Sequence, residues 1–283
     1  MTKQERVQVF EETMQICLEN EHLQAAIYRS IQNQKVYWEE DPVTVPEPKH
    51  ESAPTLILSE KRTLEAAAPY SRQGKRVCAL NFASYVTPGG GVKKGAGAQE
   101  ESICRICTLF PALAHRETAG PFYEKHRELA GRNKASGRDL MEFRRNRDDC
   151  IYTPGVVVIR EDTHDCRLMP TEDWYETDII TCAAPDLRNC WDLPDSSELY
   201  SAIEGRVLKI IQVAARHSVD ALILGAFGCG VFRNPPEMVA DAFEQVLKRY
   251  GSHFETVEFA LGHRSRDGEN YRAFSEIRDI TIV

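Results

Sequence analysis

Residues 81–101 read Asn-Phe-Ala-Ser-Tyr-Val-Thr-Pro-Gly-Gly-Gly-Val-Lys-Lys-Gly-Ala-Gly-Ala-Gln-Glu-Glu, and this stretch decides the fold class and the position of the functional site. The apolar run 77–80 before it is typical of a buried strand, and the apolar spacing after Gln99 is typical of a helix. The glycines between them let the backbone approach a ligand closely or adopt positive φ. A strand, a glycine loop and carboxylates at a helix start predict a pocket for a phosphate-bearing ligand with an acid beside it.

A second glycine loop has the same surroundings. Residues 221–237 read Ala-Leu-Ile-Leu-Gly-Ala-Phe-Gly-Cys-Gly-Val-Phe-Arg-Asn-Pro-Pro-Glu, so a buried strand again runs into a glycine turn before a helix. Successive N–H groups in such turns bind anions, and ligands of α/β proteins bind beyond the carboxyl ends of strands. The two loops, at 87–98 and 225–234, are therefore expected to close over one diphosphate. Neither loop matches a P-loop or a dinucleotide-binding fingerprint.

Apolar strands alternate with amphipathic helices through the second half of the chain. Runs at 156–160, 179–184, 221–226 and 257–261 predict strands, and the segments 198–217, 235–250 and 270–278 predict helices. This alternation predicts an α/β sandwich with a mixed or mostly parallel sheet.

The first 54 residues differ from the rest in pattern. Residues 4–20 and 23–31 have helical spacing, and 41–54 contain four prolines among acidic residues, which favours a linker. We therefore predict a helical N-terminal extension with its linker at 1–54 and the main domain at 55–283.

The composition limits the kind of protein. The net charge is −8, which argues against broad affinity for nucleic acid or anionic membranes. No apolar stretch is long enough to span a bilayer, and the N-terminus lacks the apolar core of a signal peptide. The nine scattered cysteines do not form the pattern of a disulfide framework. A reduced, cytoplasmic protein is therefore expected, with a nuclear location left open.

Two further features have a structural and a functional interpretation. The pair Cys104 and Cys107 has the spacing of a metal or redox motif, but no second pair or suitable histidine accompanies it, so no metal is expected. The segment 125–147 is basic. We interpret it as a solvated face, because acidic residues are interspersed; the alternative is a surface that guides a polyanionic substrate.

The glycine and glutamate motifs together resemble one family. Gly89-Gly90-Gly91, the seven residues 92–98 and then Gln99-Glu100-Glu101 are similar to the signature of the microbial-type poly(ADP-ribose) glycohydrolases. The similarity continues in the same order through 63–67, 152–160, 180–186 and 225–230. It implies a macrodomain-like α/β/α sandwich with a mixed central sheet, plus a mainly helical N-terminal extension near the adenosine end of the ligand.

The resemblance also implies a role for each site residue. Glu101 would be the catalytic acid and Glu100 its partner, holding hydroxyls of the ribose that is cleaved. Phe232 would pack over that ribose, and Phe227 is the candidate for the adenosine side. The residues expected to contact the substrate are Asn81, Gly89, Gly90, Gly91, Gln99, Phe227, Gly228, Cys229, Gly230, Val231 and Phe232. No cofactor and no metal are implied.

The spacing of the two glutamates restricts the chemistry. Adjacent residues on a helix point about 100° apart, so Glu100 and Glu101 cannot flank a sugar as the two carboxylates of most glycosidases do. We therefore expect one of them to hold the sugar and the other to transfer the proton.

The function expected from the resemblance is hydrolysis of the ribose–ribose bonds of poly(ADP-ribose), with ADP-ribose as the product. The substrate would be the polymer or an ADP-ribosylated protein, without sequence-specific nucleic-acid binding. A nearer alternative is a hydrolase that removes single ADP-ribose units. A macrodomain that only binds ADP-ribose is a further alternative, although it has no need of two carboxylates. An NAD-using enzyme is disfavoured because the dinucleotide fingerprint is missing.

Overall fold

Eight strands form one mixed sheet at the centre of the protein. The computed structural model describes residues 1–136, 148–188, 195–262 and 268–283, and the side chains of all these except 132–136. The strands are β1 (Lys35–Tyr37), β2 (Thr55–Ser59), β3 (Val77–Phe82), β4 (Cys150–Val158), β5 (Tyr175–Cys182), β6 (Ala221–Leu224), β7 (Thr256–Ala260) and β8 (Ile280–Ile282). Their spatial order is β1-β4-β5-β3-β6-β7-β2-β8. The β1–β4 and β4–β5 pairs are antiparallel, and all the others are parallel.

Helices cover both faces of this sheet. They are α1 (Lys3–Glu19), α2 (Glu21–Asn33), α3 (Thr63–Arg72), α4 (Gln99–Ile106), α5 (Leu109–Leu113), α6 (Gly120–Ser136), α7 (Ser196–Arg216), α8 (Pro236–Tyr250) and α9 (Glu269–Ser275). Side chains alternate across β3: Leu80 packs in the cluster that contains residues of α7, α8 and α9, whereas Ala79 packs in the cluster that contains residues of α3 to α6. Period-2 alternation between two apolar layers defines an α/β/α sandwich, which confirms the predicted fold class.

The parallel strands determine where the functional site lies. Because β5, β3, β6, β7 and β2 run in the same direction, their carboxyl ends meet at one edge of the sheet. The segments that leave this edge include both predicted glycine loops. Such an edge is where α/β proteins place their ligands.

The predicted strand at 156–160 proves longer and displaced. Strand β4 begins at Cys150 and continues across Pro154 and Gly155 to Val158, with a shift of register against β5 between Thr153 and Val156. Pro and Gly normally end a strand, but here a β-bulge accommodates them. The segment before the bulge was therefore missed from sequence.

The N-terminal segment packs on the main domain rather than apart from it. Strand β1 pairs with β4 at the edge of the sheet, and α1 contacts α4 and the 3₁₀ turn Val92–Lys94. The helical character expected for this segment is present. The division of the chain at residue 54 stays a prediction.

The described residues include no helix with the length and apolar character needed to cross a membrane. Their eight cysteines are all free, and seven of these are buried. Cys104 and Cys107 lie fully inside the protein, where burial raises the pKa of both thiols. Within the described residues, no cluster of three possible metal ligands occurs.

Gly95 marks the closest approach of α1 to the glycine loop. Its φ is +69°, and a Cβ there would lie 2.2 Å from the backbone oxygen of Lys3. We predict that Gly95→Ala lowers the free energy of unfolding by roughly 1–3 kcal/mol, because it adds backbone strain and displaces α1. Urea denaturation measures this change.

Gly131→Ala is the matched control. Gly131 lies in α6, and a Cβ there has nothing within 4 Å. It should be neutral or slightly stabilising, because alanine favours helix more than glycine does. Equal stability of Gly95→Ala and the wild type would show that α1 does not constrain the loop.

Candidate active site

Two adjacent carboxyl groups lie at the first turn of α4. The side chain of Glu100 is 3 % exposed and that of Glu101 is 8 % exposed. Oε2 of Glu100 accepts a hydrogen bond of 2.7 Å from the Ser84 amide, and Oε1 of Glu101 accepts one of 2.8 Å from the Gly91 amide. The second oxygen of each carboxyl is buried without a protein partner. Each glutamate therefore has one anchored oxygen and one that no protein group binds.

Gly90 allows the loop to close over both carboxyl groups. Its φ is +57°, and a Cβ there would lie 2.5 Å from Oε1 of Glu101 and 3.0 Å from Oε2 of Glu100. No other residue type fits between the backbone and these oxygens without displacing one of them. Glycine is therefore required at position 90 by the two carboxyl groups, independently of any contact with a phosphate.

The environment of Glu100 favours its protonated form. Burial raises the pKa of Glu100 to about 8, and the negative charge of Glu101 contributes to the rise. The hydrogen bond from Ser84 and the nearby Asn81 amide oppose this rise in pKa but do not cancel it. The pair of glutamates therefore retains a proton near neutral pH.

Gln99 holds the end of β3 against the start of α4, and Asn81 joins β3 to β5. The Gln99 carboxamide accepts from the Phe82 amide at 2.8 Å and donates to the Leu80 carbonyl at 2.7 Å and to Thr63 Oγ1 at 3.0 Å. Asn81 is fully buried and donates to Thr181 Oγ1 at 3.2 Å, while its amide oxygen has no protein partner. Gln99 is thus occupied by protein groups, and direct contact of either residue with substrate stays a prediction.

The second loop faces the carboxyl groups across a cleft of about 1670 Å³. Gly228 has φ +75°, and a Cβ there would lie 2.3 Å from Cβ of Ala184 and 2.5 Å from Nδ2 of Asn234. The ring of Phe232 lies partly exposed in the cleft, with the Arg188 guanidinium 5.1 Å from its centre. Predicted site residues that line the cleft are Gly90, Gly91, Gln99, Glu100, Glu101, Gly228, Gly230, Val231 and Phe232.

Two predicted contact residues of the second loop lie outside the cleft wall. Phe227 is 1 % exposed and packs edge-on against Phe82 in the core. Its contact with the adenosine side of the ligand stays a prediction; the ring is turned inward and packs behind the loop. Cys229 is half-buried, its Sγ lies 3.7 Å from the Phe227 carbonyl oxygen, and it is not among the residues that line the cleft. Asn81 and Gly89 also do not line the cleft.

Several lining residues were not predicted from the sequence. Ser84, Lys93, Lys94, Phe110, Asp162, His164, Ala184 and Arg188 all border the cleft. Ser84 and the two lysines lie within the quoted stretch 81–101, so attention to the flanks of the motif would have found them. Phe110, Asp162 and Arg188 come from distant segments, and no sequence pattern indicates their position.

The N-terminal helix supports the first glycine loop and α4 from behind. The Arg6 guanidinium donates to the Gly95 carbonyl at 2.8 Å, and the buried Arg105 of α4 donates to the carbonyls of Arg6 at 3.2 Å and Ala96 at 2.6 Å. Thr13 donates to the Arg105 carbonyl at 2.8 Å. Among the described residues, none from 1–54 lines the cleft. The extension therefore packs against the glycine loop and α4, and its position near the adenosine end of the ligand stays a prediction.

The basic segment is described only in part. Lys125 lies over the Trp38 ring at 4.3 Å and 3.3 Å from a carboxylate oxygen of Asp149. Arg127 donates to the Val86 carbonyl at 3.3 Å. These two side chains are held by the protein, as a solvated face with local ion pairs would be. The remaining basic residues of 125–147, from Arg132 onward, lie outside the described side chains.

Comparison with known proteins identifies the family. The profile of the microbial-type poly(ADP-ribose) glycohydrolase catalytic domain matches residues 3–161, which is more than half of the chain. The chain belongs to this family. None of the curated proteins compared with the chain matches it.

Solved structures of the family have the same fold. Poly(ADP-ribose) glycohydrolase from Thermomonospora curvata is 28 % identical, with a TM-score of 0.81 over 96 % of this chain and 98 % of that one. The same enzyme bound to the inhibitor ADP-HPD is 29 % identical, with a TM-score of 0.80 over 95 % of this chain and 98 % of that one. The enzyme from Deinococcus radiodurans in complex with ADP-ribose is 26 % identical, with a TM-score of 0.71 over 89 % of this chain and 96 % of that one.

These findings confirm the predicted family and enzyme class. The glycohydrolase is a glycosidase that acts on poly(ADP-ribose). The mixed sheet with helices on both faces is the macrodomain-like architecture expected from the sequence. The roles of individual residues are not shown by these comparisons.

The raised pKa of Glu100 predicts a pH-dependent difference in stability. A carboxyl group whose pKa is higher in the folded state destabilises the fold as pH rises from its ordinary pKa, 4.5, through the folded value of about 8. Glu100→Gln cannot ionise, so its free energy of unfolding should increase relative to the wild type between pH 5 and 8. We expect a gain on the order of a few kcal/mol, since one pKa unit corresponds to about 1.4 kcal/mol.

Urea denaturation at pH 5, 7 and 9 measures this gain. The exposed Glu172 in the turn Thr171–Asp173 provides the matched control. Glu172→Gln should shift stability equally at all three values of pH. A pH-independent effect of Glu100→Gln would contradict the protonated state assigned to Glu100.

Proposed function

We propose that Glu101 is the general acid and base by which this glycohydrolase cleaves ribose–ribose O-glycosidic bonds and releases ADP-ribose. One observation carries this assignment. The Glu101 carboxyl lines the cleft, with one oxygen fixed by the Gly91 amide and the other buried without a partner. An oxygen held in position but not yet hydrogen-bonded suits proton transfer to a bound substrate.

The reaction would break the bond between the anomeric carbon of the held ribose and the oxygen of the leaving unit. Protonated Glu101 donates its proton to that oxygen while positive charge develops on the ring, as in other glycoside hydrolyses. Water then adds to the anomeric carbon and gives its proton to the Glu101 carboxylate. The acid is thereby regenerated, and the products are ADP-ribose and a polymer shortened by the released unit.

The neighbouring carboxyl makes the required proton available. Burial raises the pKa of Glu100 to about 8, so Glu100 holds a proton near neutral pH. Protons of strongly interacting groups belong to the pair rather than to one residue. The mechanism requires this proton on Glu101 when the substrate is bound, with Glu100 accepting hydrogen bonds from ribose hydroxyls.

The remaining contacts follow from the shape of the cleft. Backbone amides of the two glycine loops would hold the diphosphate without a countercharge. Phe232, partly exposed in the cleft, would pack on the ribose, and the free amide oxygen of Asn81 would orient the same sugar. The bound inhibitor and ADP-ribose in the two related enzymes support ADP-ribose as a ligand of this cleft.

Two alternatives differ in what the cleft processes. An enzyme that removes single units from protein has the same need for an acid, so only its substrates separate it from a polymer-cleaving one. A non-catalytic reader would not need two buried carboxyl groups, whose burial is costly. We further propose an ADP-ribosylated protein or the polymer as the partner, without sequence-specific nucleic-acid binding. The free cysteines favour a reducing intracellular compartment.

Glu101→Gln should abolish release of ADP-ribose from the polymer while leaving ADP-ribose binding within about threefold. The amide keeps the shape of the side chain and its hydrogen bond to Gly91, but it cannot donate a proton to the leaving oxygen. Loss of one acid–base group typically costs about 10²–10⁴ in rate. Chromatography of the products and calorimetry of ADP-ribose binding measure the two quantities.

Glu172→Gln, remote from the cleft, is the control and should cleave at the wild-type rate. Full activity of Glu101→Gln would overturn the assignment of the acid. Release from a mono-ADP-ribosylated protein alone would favour the single-unit hydrolase. Binding without any release by the wild type would favour the reader.

A further inference from the structure

Two lysines border the cleft without an anionic partner. Lys93 and Lys94 form most of the 3₁₀ turn that follows Gly91, and both side chains are exposed and line the cleft. Within the described part of the chain, neither makes an ion pair with a carboxylate. Two arginines that also line the cleft are paired: Arg62 lies 3.8 Å from Asp162, and Arg188 lies 2.6 Å from Asp186. The unpaired positive charge of this wall is therefore concentrated on the two lysines.

An aromatic ring lies beside the lysines. Phe110, near the start of α5, lines the cleft and is partly exposed. One edge of the ring would meet a Cβ on Gly89 at 2.7 Å, and Phe10 packs edge-on behind it at 5.0 Å. Nζ of Lys93 lies 5.1 Å from the ring centre. Exposed contacts of this kind are weak, so the ammonium can move to a phosphate at small cost.

The position of this wall relative to Glu101 indicates which part of the substrate it faces. Gly91 holds Glu101, and Lys93 follows two residues later on the same turn. The oxygen that Glu101 protonates belongs to the adenosine of the next unit in the polymer. That adenosine carries a purine and a diphosphate, and both must lie close to Glu101 on the leaving side.

The size of the cleft leaves room for this second unit. Its volume of about 1670 Å³ exceeds the roughly 300–1000 Å³ usual for pockets that hold one small ligand. The diphosphate of the first unit already has the amides of two glycine loops. In the part of the wall that Lys93, Lys94 and Phe110 form, two exposed ammonium groups can bind a second diphosphate.

We infer that Lys93, Lys94 and Phe110 form a subsite for the leaving ADP-ribose unit, in which the ring stacks on the adenine and the lysines bind the diphosphate. The inference rests on the proposed function. It explains why two lysines are unpaired at the cleft of a chain whose net charge is −8. The subsite selects for a polymeric leaving group, because a small leaving group has neither a purine nor a diphosphate.

The test compares two substrates that share the held unit and differ in the leaving group. One is poly(ADP-ribose), and the other is an ADP-ribose glycoside with a small aryl leaving group. For Lys93→Ser/Lys94→Ser we expect kcat/KM on the polymer to fall about tenfold or more, mainly through KM, with a weaker dependence on salt. The kcat/KM for the aryl glycoside and the Kd of ADP-ribose should stay within twofold of the wild-type values.

Phe110→Leu keeps the apolar contacts with Phe10 and should lower kcat/KM on the polymer severalfold, because the leucine side chain cannot stack on the adenine. Lys248→Ser is the matched control, because Lys248 lies on the surface of α8 and pairs there with Glu244. It should leave kcat/KM unchanged for both substrates. Each single lysine variant provides a second measurement if the double variant does not fold.

The outcomes separate the subsite from the proposed function. Equal losses on both substrates would overturn the subsite and give the lysines a role in shaping the loop around Glu101. A matching loss of ADP-ribose affinity would place them on the held unit instead, which also overturns it. An unchanged KM of the double lysine variant for the polymer would also overturn the subsite. If the wild type cleaves the aryl glycoside but not the polymer, the proposed function fails rather than the subsite alone.

Discussion

Burial of two neighbouring carboxyl groups at the first turn of one helix is the constraint on which the rest of this structure depends. Glu100 and Glu101 are almost without contact with solvent, and two buried negative charges side by side would be strongly destabilising. The protein reduces this cost by giving each group one backbone amide, from Ser84 and from Gly91. It also retains a proton on the pair, as the raised pKa of Glu100 indicates. The positive end of α4 stabilises the charge that remains.

The surrounding structure follows from the need to hold these groups still. A side chain at position 90 would collide with both carboxyl groups, so the loop must be glycine there. Gln99 ties the start of α4 to the end of β3. Arg105 and Arg6 tie α4 and the loop to the N-terminal helix. Side chains of a functional site are held in position by supporting contacts of this kind, so the N-terminal segment contributes to the site indirectly, through the loop and α4.

The sequence predicted the features that local patterns determine. Strands β3 and β6, helices α4, α7 and α8, and both glycine loops were placed within a few residues, because each has an apolar period and a clear start or end. Strands β1 and β8 have three residues each and exist only because a partner strand pairs with them, so no local pattern reveals them. The start of β4 was missed because a bulge carries the strand through Pro154 and Gly155.

Within the site, the sequence indicated the motif but not the direction of every side chain. Glu100, Glu101, Gly90 and Phe232 line the cleft as expected. Phe227 is buried whereas Phe232 lies in the cleft wall, and contact of Phe227 with the ligand stays a prediction. Phe110 and Arg188 reach the cleft from distant segments, and only the tertiary fold brings them there.

The acid role of Glu101 is tested most directly by the dependence of rate on the leaving group. The measurement is kcat/KM of the wild type and of Glu101→Gln for a series of aryl ADP-ribosides, from acidic to weakly acidic phenols. If Glu101 protonates the leaving oxygen, the advantage of the wild type should grow steadily as the phenol becomes less acidic, because poor leaving groups depend on the proton. The same advantage for every phenol would contradict the account, and would leave Glu101 a role in binding or in activating water only.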